Sequence, residues 1–325
     1  MNYLIGLLLL GCETKVTSTA EKDTYIETVG DTATEIVEET EEQEIQDTGE
    51  IEEPVEEEPE EIDSITDFFQ RGPHEVTEES KLAQVTNCSD QPYRVYTPST
   101  VSNPPVVVLG HGFARGADVM TGWADHLASW GVEVLLPTLC HYNVFVGVDH
   151  EMNGQNMKEL ASLHGVANAI YVGHSAGGLA AIIAASLDPN ASGVLGLDAT
   201  DTQGIPGVPD AIGQNYAGNV TSSAFSIVGE PSSCNSDNNG LALFSMMNTH
   251  QSIKVVDADH CDFESPTDWI CESQCENAQT TFTDEEIRPM ITGIGTAAIM
   301  SLVNSGTWIY DLDMWIDSGL IQIIE

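Results

Sequence analysis

Ala169-Ile170-Tyr171-Val172-Gly173-His174-Ser175-Ala176-Gly177-Gly178-Leu179-Ala180 decides how this chain folds. Its first half is an apolar run of the kind carried by a strand buried on both faces, and its second half runs on, Ala-rich, to Leu187 as a predicted buried helix. Between them stands Gly173-His174-Ser175-Ala176-Gly177, a G-x-S-x-G sequence at a strand-to-helix junction. A turn that sharp needs small residues on either side. It lifts the serine hydroxyl from the end of the sheet toward a helix N-terminus, which favours developing negative charge. Ser175 is therefore the candidate nucleophile.

Outward from this junction the rhythm is strand, then helix. Strands are predicted at Tyr93 to Tyr96, Pro105 to Gly110, Val132 to Leu136, Gly193 to Leu197, Ala224 to Val228 and Ile253 to Val256. Helices are predicted at Ala117 to Trp130, closed by Gly131, at Gln155 to Leu163, near Gly240 to Met247 and over Glu285 to Val303. Such alternation predicts an α/β fold with a mostly parallel central sheet and helices on both faces. The globular part starts near residue 64, and no internal repeat is visible.

A serine attacking an acyl carbon creates an oxyanion that needs two preorganised N–H donors. One is expected from the backbone of Ala176. The second is expected from the loop after the Pro105 to Gly110 strand, His111-Gly112-Phe113-Ala114-Arg115, at the N–H of Phe113. His111 is read as a support for that loop. Phe113, Met120 and Trp123 are read as either lining an apolar acyl site or belonging to the core. The general base must follow the late strands, and Val255-Val256-Asp257-Ala258-Asp259-His260 places His260 there; His141, His150, His164 and His250 stand on less suitable segments. The acid that orients His260 is assigned to Asp198, at the end of Gly193-Val194-Leu195-Gly196-Leu197-Asp198, with Asp201 and Glu230 as rivals, because Gly229-Glu230-Pro231-Ser232-Ser233-Cys234 has no aspartate at the usual offset.

Together these segments resemble the α/β-hydrolase superfamily, in its polyester hydrolase, cutinase-like and chlorophyllase-like branch. Gly112-Phe113-Ala114-Arg115 resembles the oxyanion loop of polyester hydrolases. Gly196-Leu197-Asp198 is similar to stretches of chlorophyllases and animal lipases that carry the triad acid. The likeness runs from about Tyr93 to Leu302, and the chain departs from it in lacking an acid after Gly229-Glu230 and a basic residue after Ser175. It implies the α/β-hydrolase fold and a carboxylic ester hydrolase that works through an acyl-enzyme, without metal or organic cofactor, as a monomer on a small or polymeric ester. Some polyester hydrolases join their two catalytic loops by a disulfide, and the corresponding segments here carry Cys234 and Cys261. The readings left beside it are a non-catalytic surface-binding module on a hydrolase-like domain, and an acyltransferase or peptidase with the same triad.

The formal charge of −43, from 52 acidic residues against 9 Lys and Arg, repels a phosphate backbone and excludes nucleic acid as a partner. About twenty of those acids lie between Glu13 and Asp63. That stretch cannot bury enough to order itself and reads as an extended tether over residues 12–63. The acidity of the remainder resembles that of salt-adapted surfaces. Ahead of the tether, Leu4 to Leu10 is too short to span a bilayer, which takes ~20 residues. It reads as a signal peptide over residues 1–11, and Leu9-Leu10-Gly11-Cys12 resembles the bacterial lipobox, without Lys or Arg ahead of the run. That resemblance implies acylation of Cys12, a lipid anchor in the membrane, and an exported bacterial protein on the periplasmic side or cell surface. Six further cysteines then imply disulfides in one of 15 connectivities. A zinc site at Cys271 and Cys275 is set aside, because no second compact ligand pair accompanies it.

Overall fold

A computed structural model describes residues 64–143, 145–275 and 280–324. The signal, Cys12 and tether expectations lie outside these residues. Apolar runs form the strands: β1 (Val76–Val85), β2 (Cys88–Pro98), β3 (Val106–Gly110), β4 (Glu133–Pro137), the short β5 (Tyr142–Asn143) and β6 (Gly147–Val148), then β7 (Ile170–His174), β8 (Gly193–Leu197), β9 (Ser223–Val228), β10 (His250–Val255) and β11 (Ile321–Ile324). The helices are α1 (Thr121–Ser129), α2 (His150–Leu163), α3 (Ala176–Leu187), α4 (Gln214–Ala217), α5 (Leu241–Phe244), α6 (Trp269–Cys275), α7 (Asp284–Asn304) and α8 (Asp313–Ser318).

Nine strands form one sheet in the order β1-β2-β4-β3-β7-β8-β9-β10-β11. The six strands from β4 to β10 pair in parallel, and β1, β2 and β11 join the edges antiparallel. The result is an α/β fold with a large, mostly parallel central sheet. Strand side chains alternate between faces, so each central strand feeds two cores. Val107, Leu109, Val172, Leu195 and Ile227 pack toward α1 and α7, whereas Val108, Tyr171 and Val194 pack toward α2 and α3. Each such fully buried aliphatic side chain contributes about 1.5–3 kcal/mol relative to leaving it in water. Five of the six central strands begin and end within one residue of their predicted bounds, and the sixth, β10, starts three residues early.

Several expectations move: α1 begins at Thr121, after a 3-10 turn over Ala117–Met120, rather than at Ala117, and β2 runs well beyond the predicted Tyr93 to Tyr96. α2 begins at His150 rather than Gln155, because the Asp149 carboxylate accepts the Met152 N–H at 2.9 Å and so caps a polar first turn. The predicted helix near Gly240 to Met247 shrinks to the four residues of α5. β1 was not anticipated: its Thr, Glu, Ser and Lys side chains are mostly exposed, and it is held by the β2 ladder rather than by a buried face.

The disulfide expectation is corrected. Cys234 and Cys261 do not pair with each other; Cys234 joins Cys275, Cys261 joins Cys271, and Cys88 joins Cys140, with Cα separations of 5.7, 5.8 and 6.3 Å. The reason is α6, which carries Cys271 and Cys275 one turn apart and lies between the two loops, so that each loop is fastened to the helix. Three disulfides point to an oxidising, extracytoplasmic environment. No described helix is long and apolar enough to cross a membrane.

Candidate active site

β7 turns into α3 at Ser175, whose φ of 56° and ψ of −125° lie in a region that L residues rarely enter. The strain is held in place by hydrogen bonds. The Ser175 N–H donates to the Leu197 carbonyl at 3.0 Å, and the Ser175 carbonyl accepts from Gly178, Leu179 and Thr200. The glycines are steric necessities: a Cβ on Gly173 would meet the Gly177 carbonyl oxygen at 2.1 Å, and one on Gly177 would meet that of Gly110 at 2.5 Å. The result is a serine pinned at the rim of the sheet.

His260 opens a short 3-10 turn, His260–Phe263, after β10. Asp259 and Asp262 cap this turn reciprocally, and Asp262 accepts from Arg288 of α7 at 2.9 Å. The His260 Nδ1–H donates to Asp198 Oδ2 at 2.5 Å, with both residues buried, which leaves Nε2 as the basic nitrogen of the ring. Asp198 follows β8 directly at φ 46°. Its carboxylate also accepts from the Gly229 N–H at 3.1 Å and from Asn235 Nδ2 on both oxygens at 3.1 and 3.3 Å. Asn235 was not singled out from the sequence. It stands in the same Gly229 loop that lacks an acid, and from there it orients the acid supplied by β8.

The two rival carboxylates are occupied elsewhere. Asp201 Oδ1 accepts the N–H groups of Thr202 and Gly213 at 2.8 Å each and ties down the loop between them; burial raises its pKa. Glu230 pairs with Lys254 at 2.6 Å and accepts the Asp257 N–H. Neither is hydrogen-bonded to His260.

Phe113 and Ala176 face a common hollow of about 120 Å³ with Ser175, and among the described residues neither backbone N–H has an acceptor. Two donors left open beside a serine are what an oxyanion requires. His111 supports the loop: its Nε2 accepts the Leu139 N–H at 2.9 Å and its Nδ1–H donates to the Gly112 carbonyl at 3.0 Å. Burial lowers its pKa to about 4, so it stays neutral. Met120 and Trp123 belong to the core, Trp123 Nε1–H donating to the Phe263 carbonyl, so of the three apolar candidates only Phe113 lines the site.

A second hollow of about 270 Å³ meets the first at Ser175, Phe113 and Cys234, and brings His260, His174, Arg115 and Glu264 to the same place. Both hollows are smaller than the ~300–1,000 Å³ of sites that take drug-sized ligands. Glu264 is fully buried and grips Arg115 through two bonds of 2.6 and 2.7 Å; burial pushes its pKa up while Arg115 pulls it down. The His174 Nε2–H donates to the His260 carbonyl at 3.0 Å, and burial, then the nearby His260, hold the His174 pKa well below the usual imidazole value. A larger hollow of about 540 Å³ lies at the far edge of the sheet against β1 and β2, where Lys81 and Arg94 already pair with acids. The sulfurs of Cys261, Cys271 and Cys275 lie within 4.8 Å of one another, but all are spent in disulfides and offer no thiolate to a metal. No protein-family model matches this chain, and no curated protein is detectably similar to it in sequence.

Proposed function

We propose that the chain is a carboxylic ester hydrolase on an α/β-hydrolase fold. The observation that carries this reading is the strained Ser175 in one cavity with His260, whose ring is oriented by the buried Asp198 at 2.5 Å. Ser175 Oγ attacks the ester carbonyl carbon while its proton passes to His260 Nε2, and Asp198 stabilises the resulting imidazolium. The negative oxygen is held by the N–H groups of Phe113 and Ala176. Collapse of this intermediate expels the alcohol, which takes the proton from His260 and leaves the acyl group on Ser175. Water, deprotonated by His260, then attacks the acyl carbon and releases the acid. Every step uses groups of this chain and water. The enzyme is exported and, through Cys12, held at a membrane by lipid, with the acidic residues 12–63 as spacer; it acts as a monomer on a small or polymeric ester.

The test is hydrolysis of p-nitrophenyl esters of increasing chain length by the full chain, together with labelling by a fluorophosphonate. Wild type is expected to label and to turn over. Ser175→Ala should do neither, and Asp198→Asn should lower kcat by about 10³–10⁴-fold. A folded wild type that neither labels nor hydrolyses any ester of the series defeats the reading in favour of a binding module. Transfer of the acyl group to an added alcohol or amine in preference to water would instead favour the acyltransferase alternative.

A further inference from the structure

The oxyanion donor at Phe113 and the base at His260 stand on loops about 150 residues apart in the chain, and neither loop alone fixes its distance from the other. The Phe113 loop has little of its own to hold it: Ala114 sits at φ 56°, and the backbone bonds at this turn are Ala114 N–H to the Tyr142 carbonyl and Arg115 N–H to the Gly112 carbonyl. The His260 turn, by contrast, is capped at both ends of Asp259-His260-Cys261-Asp262 and fastened to α7 through Arg288.

Further along, Trp123 Nε1–H bonds the Phe263 carbonyl and Gly122 and Val119 bond the backbone of Ser265, but next to Phe113 itself the tie is a side chain. Arg115, two residues after Phe113, sends Nε and Nη2 to the two carboxylate oxygens of Glu264, four residues after His260, and Nη2 also meets Asp268 Oδ1 at 2.9 Å. The Arg115 side chain is only 12% exposed and that of Glu264 0%, so the fork is short and largely shielded from solvent. From Glu264 the chain of contacts continues: its Oε1 lies 3.9 Å from His174 Nδ1, and the other nitrogen of His174, the residue before Ser175, bonds the His260 carbonyl. Nucleophile, base and oxyanion donor are thus each one residue or one loop turn from the same buried carboxylate.

We propose that Arg115, through its fork onto Glu264, is a positioning residue that sets the Phe113 N–H at the distance from Ser175 and His260 where it meets the oxyanion. Arg115 touches no reacting atom in this role. The inference rests on the hydrolase reading above and adds to it a device that holds two catalytic loops in register. A planar two-pronged ion pair suits this task, because it fixes orientation as well as distance, which a lysine cannot do. Its effect falls on the transition state, where the oxyanion forms, rather than on substrate capture.

The experiment compares wild type, Arg115→Lys, and the double variant Arg115→Met/Glu264→Gln, which leaves no unpaired charge buried. Five quantities are read: thermal melting, fluorophosphonate labelling, kcat and KM for p-nitrophenyl butyrate, and affinity for an alkylboronic acid, whose tetrahedral serine adduct needs the oxyanion donors. The expected result is a folded double variant that still labels, with kcat lower by about 10- to 100-fold, KM within threefold of wild type, boronate affinity lower in proportion to kcat, and the acid limb of the pH–rate profile unmoved. Arg115→Lys should fall between the two, and keeps the test alive if the double variant does not fold. Folded variants with kcat and boronate affinity within twofold of wild type, whatever their melting temperature, would overturn the proposal and leave the hydrolase reading intact. A wild type that neither labels nor turns over would overturn both.

Discussion

Asp198 is buried and is satisfied by three donors from two segments: Gly229 and Asn235 of one loop, and His260 of another. Such a carboxylate is held in one orientation, and it holds His260 in the tautomer that exposes Nε2 as the base. Removing the Asn235 amide leaves the acid and base in contact but loosens their geometry. Asn235→Ala should therefore retain labelling by fluorophosphonate and lose about tenfold in kcat, measured on a short-chain ester. Two histidines outside the Ser175–His260–Asp198 set impose a pH limit. His111 and His126 have pKa values lowered to about 4 by burial, so between about pH 4 and the unfolded value of 6.5 the unfolded chain binds more protons than the folded one, and stability falls as pH falls. Burial lowers His150, His164 and His174 in the same sense, while Asp262, raised to about 6, and Asp201 and Glu264, also raised by burial, act in the opposite sense. The melting temperature is expected to drop from pH 6.5 to pH 4, and to drop less in His126→Phe; equal slopes would refute the assignment to His126.

At the scale of the element, α6 shows how a short helix stiffens a site it does not complete by itself. Cys271 and Cys275 fasten it to the His260 turn and to the Asn235 loop, and Ile270 and Gln274 of the same helix line the hollow beside Ser175. The bond Cys88–Cys140 lies away from that hollow and closes a longer loop, 52 residues against 10 for Cys261–Cys271. On the chain-entropy account the long loop stabilises by about 4 kcal/mol and the short one by about 2–3 kcal/mol. The two disulfides should therefore separate in their effects. Cys88→Ser/Cys140→Ser is expected to lower denaturant stability more, and Cys261→Ser/Cys271→Ser to lower kcat more. The same rank order in both measurements would contradict this division. The helix starts follow a simpler logic: α7 starts at Asp284, one residue before its predicted bound, on a Thr283–Glu286 capping box, whereas α2 starts earlier than expected because a single aspartate caps a turn with little apolar signal.

For the whole molecule the governing quantity is charge. From residue 64 on, 31 acidic residues face seven Lys and Arg, and among the described residues every arginine and all but one lysine, Lys158, stands within 4 Å of a carboxylate. The self-repulsion of such a surface is screened over a Debye length of about 3 Å at 1 M salt and about 30 Å at 0.01 M. The melting temperature is expected to rise by several degrees between those conditions; a flat response would remove the salt-adaptation reading. What the amino-acid sequence determined by itself was local: the period of the strands, the turn at Ser175 where a Cβ on Gly173 would meet Gly177 four residues on, and the order in which Ser175 and His260 follow their strands. These depend on neighbours a few residues apart, so they are written in the chain. The sequence assigns Asp198 with Asp201 and Glu230 as rivals, but the hydrogen bond of His260 to Asp198, the partner of each cysteine, the service of Asn235 and the Arg115–Glu264 fork were decided only by the tertiary structure. Each depends on which side chains meet across 10 to 149 residues of chain, and that is settled by how the sheet brings the ends of β3, β7, β8, β9 and β10 to one rim.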